Sequence, residues 1–155
     1  MVDDQTRVLV LGSLPGEQSL AAGRYYAHPR NQFWRLIGSV IGREIEPLPY
    51  EKRLDALLTA GVGLWDSVGS AIRPGSLDGA IRDHEPNPLA ALVAQLPNLR
   101  AIGFNGLKSA AVGRRAVAGG PGLELITLPS SSPALTLPFE AKRQAWLRLQ
   151  PYLSG

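Results

Sequence analysis

"RVLVLGS", residues 7–13, decides how this chain is read. Apolar residues run unbroken from Val8 to Leu11 and stop at Gly12. A strand with one wet face alternates apolar and polar residues; a strand covered on both faces does not. The run therefore predicts a strand of a parallel sheet with helices on both sides. Three later stretches match it: "VGLWDSV" (62–68), "LRAIGFNG" (99–106) and "GLELITLPSSS" (122–132). Helical patterns lie between them. Phe33, Trp34, Ile37, Val40 and Ile41 predict a helix over 30–42, with Pro29 suited to its first turn and Gly42 to its end. Further helices are predicted over 50–61, ending at Gly61, over 88–97, and over "LKSAAVGRRAV". "PFEAKRQAWLRLQPYL" closes the chain as a helix with Phe139, Ala145, Trp146 and Leu149 on one face. Strands alternating with helices give one domain over 1–155. Its fold class is α/β: a three-layer α/β/α sandwich around a four-stranded, mainly parallel central sheet.

Composition narrows the function classes. The chain has 155 residues, of which 45% are hydrophobic and 19% charged, enough to bury a core. It has no cysteine, which excludes disulfides, thiolate zinc sites and iron–sulfur clusters and fits a reducing compartment. Asp3 and Asp4 stand where a secretory signal would be basic, and no apolar run reaches membrane-spanning length. The expectation is a cytoplasmic monomer with no cofactor and no metal. A net charge of +3, carried mostly by arginine, is compatible with nucleic acid without demanding it.

Ligands of such sheets bind outside the carboxyl ends of the strands. That rule picks out the loops at 12–31, 66–86, 105–108 and 128–135. The first opens "GSLPG" (12–16), a turn whose backbone N–H groups can face a ligand; its glycine spacing fits neither a Walker loop nor a dinucleotide fingerprint. It continues into "YYAHPRNQFW" (25–34), where four aromatics gather in a chain with only 6% of them. Asp66 opens the second loop as a base, a cap or a brace. Asn105 opens the third, either capping the next helix or reading the edge of a base with an amide that both donates and accepts. "LPSSSPAL" (128–135) is either a rigid turn or a phosphate holder.

Together the four loops resemble the uracil-DNA glycosylase superfamily. Gly12-Ser13-Leu14-Pro15-Gly16 is similar to its first motif, and Pro129-Ser130-Ser131-Ser132-Pro133 to its second. "YYAHPRNQFW" resembles the aromatic segment of the mismatch-specific enzymes, and more closely that of the hypoxanthine-DNA glycosylase branch. "GLWD", "GSLDGAIRD" and "FNG" agree with that branch. Leu14 stands where mismatch-specific enzymes carry an asparagine, and the second motif lacks the histidine of the best-known uracil enzymes. The hypoxanthine branch lacks both as well and uses the asparagine of its aromatic segment. That residue is Asn31. The branch usually has a polar or larger residue where Leu135 stands.

The resemblance implies a monofunctional DNA glycosylase that hydrolyses the N-glycosidic bond of a deaminated base flipped out of DNA, hypoxanthine first and uracil second, with a uracil- or guanine-mismatch-specific glycosylase as the alternative within the class. Asn31 is then expected to place the water through its amide oxygen, with helix capping as its other reading, and Asp66 is the alternative base. Gly12, Ser13 and His28 are candidate donors to the base. Tyr25, Tyr26 or Phe33 would stack on it, and Asn105 would read its edge. Lys108, Ser130, Ser131 and Ser132 are candidate phosphate contacts, and Leu135 is the candidate wedge. The partner implied is damaged DNA. Two other classes stay open: a DNA-binding module without catalysis, kept open by the missing motif residues, and a small nucleotide-binding enzyme using "GSLPG" for phosphate.

Overall fold

The computed structural model describes residues 1–12, 26, 30–66, 88–120 and 122–154, with only the backbone of Asp66 and Pro88. Four strands form one sheet: β1 (Val8–Gly12), β2 (Val62–Asp66), β3 (Ala101–Asn105) and β4 (Glu124–Leu128). Their order is β2-β1-β3-β4, and every pairing is parallel. The chain leaves β1 for one side of the sheet and later crosses to the other. The switch point therefore falls between β1 and β3.

The helices are α1 (Phe33–Ile41), α2 (Tyr50–Ala60), α3 (Pro88–Ala94), α4 (Leu107–Ala116) and α5 (Phe139–Trp146), followed by a 3-10 segment over Leu147–Leu153. The alternation inside β1 shows why its run had to be apolar throughout. Val8 and Val10 enter one core with Phe33, Ile37, Leu57, Trp146 and Leu149. Leu9 and Leu11 enter the other with Leu89, Ile102, Phe104 and Ala110. α1, α2 and α5 thus cover one face, and α3 and α4 the other. Burying a side chain of Trp146's size withdraws roughly 200 Å² from water, about 5 kcal/mol before entropy is counted.

β2 and β4 end earlier than their stretches suggested, at Asp66 and Leu128, β3 begins later, at Ala101, and α1 starts at Phe33 rather than at 30. α3 stops at Ala94 rather than 97. The closing helix tightens to 3-10 geometry at Leu147, and Pro151 inside that segment has no N–H to continue an α-helical ladder. No described helix is long and apolar enough to cross a membrane.

Candidate active site at the carboxyl edge of the sheet

The strand ends bring the loops together. Gly12 pairs with Asp66, and Asn105 with Leu128, so three of the residues expected to act, Gly12, Asp66 and Asn105, lie in one row at the carboxyl edge. α4 is anchored to that row: the buried Ser109 hydroxyl donates to the Leu11 carbonyl at 2.7 Å. Gly106 makes the row compact. Its φ of +100° is open to glycine, and its N–H donates to Leu128 O at 3.0 Å. A Cβ there would sit 3.3 Å from the Cβ of Ser130, so the turn after β3 lies directly against the serine loop after β4.

A continuous chain of hydrogen bonds crosses the row. Asn105 Nδ2 donates to Ser131 Oγ at 2.9 Å, and Ser131 Oγ donates to Asn31 Oδ1 at 2.8 Å. The Ser131 N–H returns to Asn105 Oδ1 at 2.8 Å. Asn31 Oδ1 also accepts from the Phe33 N–H at 2.9 Å. A backbone N–H can only donate, so this last bond fixes which end of the Asn31 amide faces inward. The Asn31 oxygen thus holds the first N–H of α1 and also joins the chain from β3.

The geometry departs from expectation at several residues. The Asn31 oxygen, expected to hold water, already accepts two hydrogen bonds, which fill its two lone pairs. Among the described residues nothing accepts from its Nδ2. Ser131, expected on a phosphate, is 1% exposed with both its hydroxyl and its N–H spent inside the site. Burial thus takes it out of reach of a backbone phosphate in this state, while Ser130 and Ser132 stay half-buried. Phe33 is 0% exposed and has no free face for a base. Tyr26 is stacked on it, ring centroids 3.9 Å apart and planes 14° from parallel.

Tyr26 is half-buried and holds φ at +53°, a conformation costly for a residue with a large side chain. Its hydroxyl accepts from Asn105 Nδ2 at 3.3 Å, the longest bond of the network. Asn105 itself is 9% exposed, and both protons of its amide are engaged, on Ser131 and Tyr26. Lys108 is exposed on the first turn of α4 and takes no part in these hydrogen bonds. Leu135 is 37% exposed on the β4–α5 loop. Asp66 and Gly12 stand at their strand ends, though the Asp66 side chain is outside the described residues, as are Ser13, Tyr25 and His28. No group of three His, Asp or Glu side chains among the described residues could hold a metal.

Two supports were missed in the sequence. Gln32 N donates to Ser131 O at 3.0 Å, fastening the start of α1 to the serine loop. Lys142 of α5 is wholly buried, and its Nζ donates to Gln32 Oε1 at 2.9 Å and to Ser132 O at 3.1 Å. Burial pushes its pKa down from the ordinary lysine value. The signal was a lysine four residues before Trp146 and seven before Leu149, inside an otherwise apolar stripe.

Residues 1–150 match the family described as the uracil DNA glycosylase superfamily. The chain belongs to that superfamily. It is 38% identical over 146 residues to a hypoxanthine DNA glycosylase of Methanosarcina barkeri, covering 94% of this chain and 91% of the relative. It is 41% identical over 134 residues to a hypoxanthine DNA glycosylase of Methanosarcina acetivorans, covering 86% and 84%. A solution NMR structure of a Methanosarcina acetivorans protein with a provisional uracil DNA glycosylase name superposes with a TM-score of 0.74 at 37% identity. That match covers 98% of this chain and 93% of the other. The wholly parallel four-stranded sheet and its covering helices are the superfamily's α/β fold.

Proposed function

We propose that this protein is a monofunctional DNA glycosylase that hydrolyses the N-glycosidic bond of hypoxanthine in DNA, with uracil as the second substrate. The observation that carries the site assignment is the Asn105–Ser131–Asn31 chain, which joins three separate loops into one polar centre. A base inside a duplex is out of reach, so it is flipped into the site at a cost of a few kcal/mol. As the C1′–N bond breaks, positive charge grows on the sugar and negative charge on the base. A fixed donor aimed at that negative charge lowers the barrier. With its oxygen spent, Asn31 offers its NH₂ group, and we assign that group to the departing base. Water then adds to C1′, leaving an abasic site, the free base and an unbroken strand.

The other roles combine the resemblance to the superfamily with the exposure of the described residues. Tyr26 supplies the stacking face, since Phe33 lies behind it. The edge of the base replaces the Tyr26 hydroxyl on Asn105, because that bond is the longest of the network. Gly12, Ser13 and His28 donate to the base, and Asp66 stays available to orient water. Ser130, Ser132 and Lys108 hold the flanking phosphates, and Leu135 fills the gap. We read the enzyme as a cytoplasmic monomer; the lack of cysteine fits a reducing compartment.

The test incubates the protein with duplexes carrying hypoxanthine, uracil or a guanine mismatch, then breaks abasic sites with alkali. Product is expected first from hypoxanthine, then uracil. Tight binding without product from any duplex would establish the binding-module reading instead.

A further inference from the structure

Lys142 has no place in the reaction above, yet it is the group least suited to its surroundings. Its helix face is otherwise core: Trp146 and Leu149 are buried one and two turns on. Packing alone would place a leucine or methionine there. Among the described residues, the one ion pair is Arg143–Glu140 on the surface, so no carboxylate offsets the buried ammonium. Both of its acceptors are neutral. An uncompensated buried cation costs stability, so its benefit must be sought in what it holds.

What it holds lies one residue from two of the three members of the hydrogen-bonded chain. Its two acceptors, Gln32 and Ser132, are the chain neighbours of Asn31 and Ser131. α5 grips the serine loop a second time one turn later, where Trp146 Nε1 donates to Pro129 O at 2.9 Å. Between these grips the Gln32 N–H takes the Ser131 carbonyl. The carbonyls of Pro129, Ser131 and Ser132 are thus all engaged from below, and Ser131 Oγ is left facing Asn31.

We propose that Lys142 is a positioning residue for the glycosylase reaction, clamping Gln32 to Ser132 so that the Asn31 amide is held in its reactive orientation. This rests on the function proposed above. The clamp acts on orientation, to which rates are far more sensitive than binding is. Its signature is a loss of rate without a matching loss of DNA affinity.

The experiment compares wild type with Lys142→Met, Lys142→Arg, Gln32→Met and the double methionine variant. Three quantities are measured: the single-turnover rate on a hypoxanthine duplex, the affinity for a duplex carrying a tetrahydrofuran abasic analogue, and hydrogen exchange of the Gln32 N–H in the free protein. Lys142→Met is expected to slow cleavage about tenfold or more, to keep affinity within about threefold, and to speed Gln32 exchange about tenfold. Lys142→Arg, which keeps charge and donors, recovers part of the rate. Gln32→Met slows cleavage, and the double variant is no slower than Lys142→Met alone, because both remove the same link. A wild-type rate with unchanged exchange in Lys142→Met overturns the proposal. Should Lys142→Met not fold, Gln32→Met decides: unchanged rate and exchange there overturn it equally. Should the wild type cleave no damaged duplex, the proposed function fails, and exchange at Gln32 in the free protein still decides the clamp.

Discussion

Exchanging one atom of Asn31 separates its two chemical readings. Asn31→Asp keeps the oxygen that accepts from Ser131 and Phe33 and replaces the NH₂ group by a second oxygen. If the amide acts as a donor to the departing base, this variant should lose about a hundredfold in single-turnover rate, as Asn31→Ala should. If the oxygen instead held water, a carboxylate would serve at least as well. An Asn31→Asp enzyme that cleaves near the wild-type rate therefore sinks the donor assignment. Asn31→Ala should also cost stability: it gives up a helix-start bond worth about 1 kcal/mol and leaves the buried Ser131 hydroxyl without its acceptor, about 1–3 kcal/mol more. Ser131 makes the opposite kind of case. Its hydroxyl was expected on a phosphate, where its loss would weaken all DNA binding alike. Buried between two asparagines, it should instead matter for rate and stability. Ser131→Ala leaves an Asn105 proton without its partner, a cost of about 1–3 kcal/mol in unfolding free energy, and frees Asn31 to turn. Chemical denaturation beside single-turnover kinetics would check this; a variant with normal stability and rate but weakened binding would restore the phosphate role.

At the scale of elements, the first strand was legible because a strand covered on both faces reads as an unbroken apolar run such as Val8–Leu11, and its shortness and the Gly12 that ends it separate it from a helix. Helix starts were less legible. Pro29 and the pattern from Phe33 pointed to 30, but Asn31 Oδ1 bonds the Phe33 N–H, and α1 begins there. How closely α4 presses on the sheet was also invisible. Gly113 reads as an ordinary residue in a helix, yet a Cβ there would lie 2.2 Å from the Phe104 ring. Gly113→Ala should therefore destabilise by about 1–3 kcal/mol, although alanine is the better helix former. A denaturation midpoint equal to or above wild type would show that Phe104 yields freely. The loop elements carry a second prediction. The large exposed apolar side chains among the described residues are Leu107 at 81%, Leu135 at 37% and Leu137 at 46%. All three follow strands β3 and β4 at the carboxyl edge. A wedge pays most where unstacking is hardest. Leu135→Ala should thus slow cleavage more in a paired duplex than in a mismatch or single strand. Equal loss on all three substrates would assign Leu135 to packing, and the same series on Leu107→Ala would then locate the wedge.

Across the whole molecule, the joint placement of Asn31, Asn105 and Ser131 could be anticipated from topology: each follows a strand end or lies in the loop between two. Their hydrogen-bond directions could not, since those depend on contacts between residues 26 to 100 positions apart. Lys142 lay further out of sight, because a lysine in a helix ordinarily reads as a solvated face. Its burial nevertheless has a global consequence that can be measured without DNA. In the folded protein its pKa lies below the ordinary 10.5; in the unfolded chain it returns to that value. Between the two, the unfolded chain binds a proton that the folded one does not, so this group makes the fold more stable as pH rises through that window. Below the window the full cost of the buried charge is present; above 10.5 both states are neutral and the contribution is constant. Lys142→Met removes this dependence and nothing else that titrates. The stability of Lys142→Met relative to wild type should therefore be greatest near neutrality and fall steadily as the pH climbs toward 10.5. Paired urea unfolding curves over that range would show it. A difference that stays flat throughout would mean that the ammonium holds its proton in the fold as firmly as in the open chain, and that Gln32 and Ser132 compensate fully for the water it has lost.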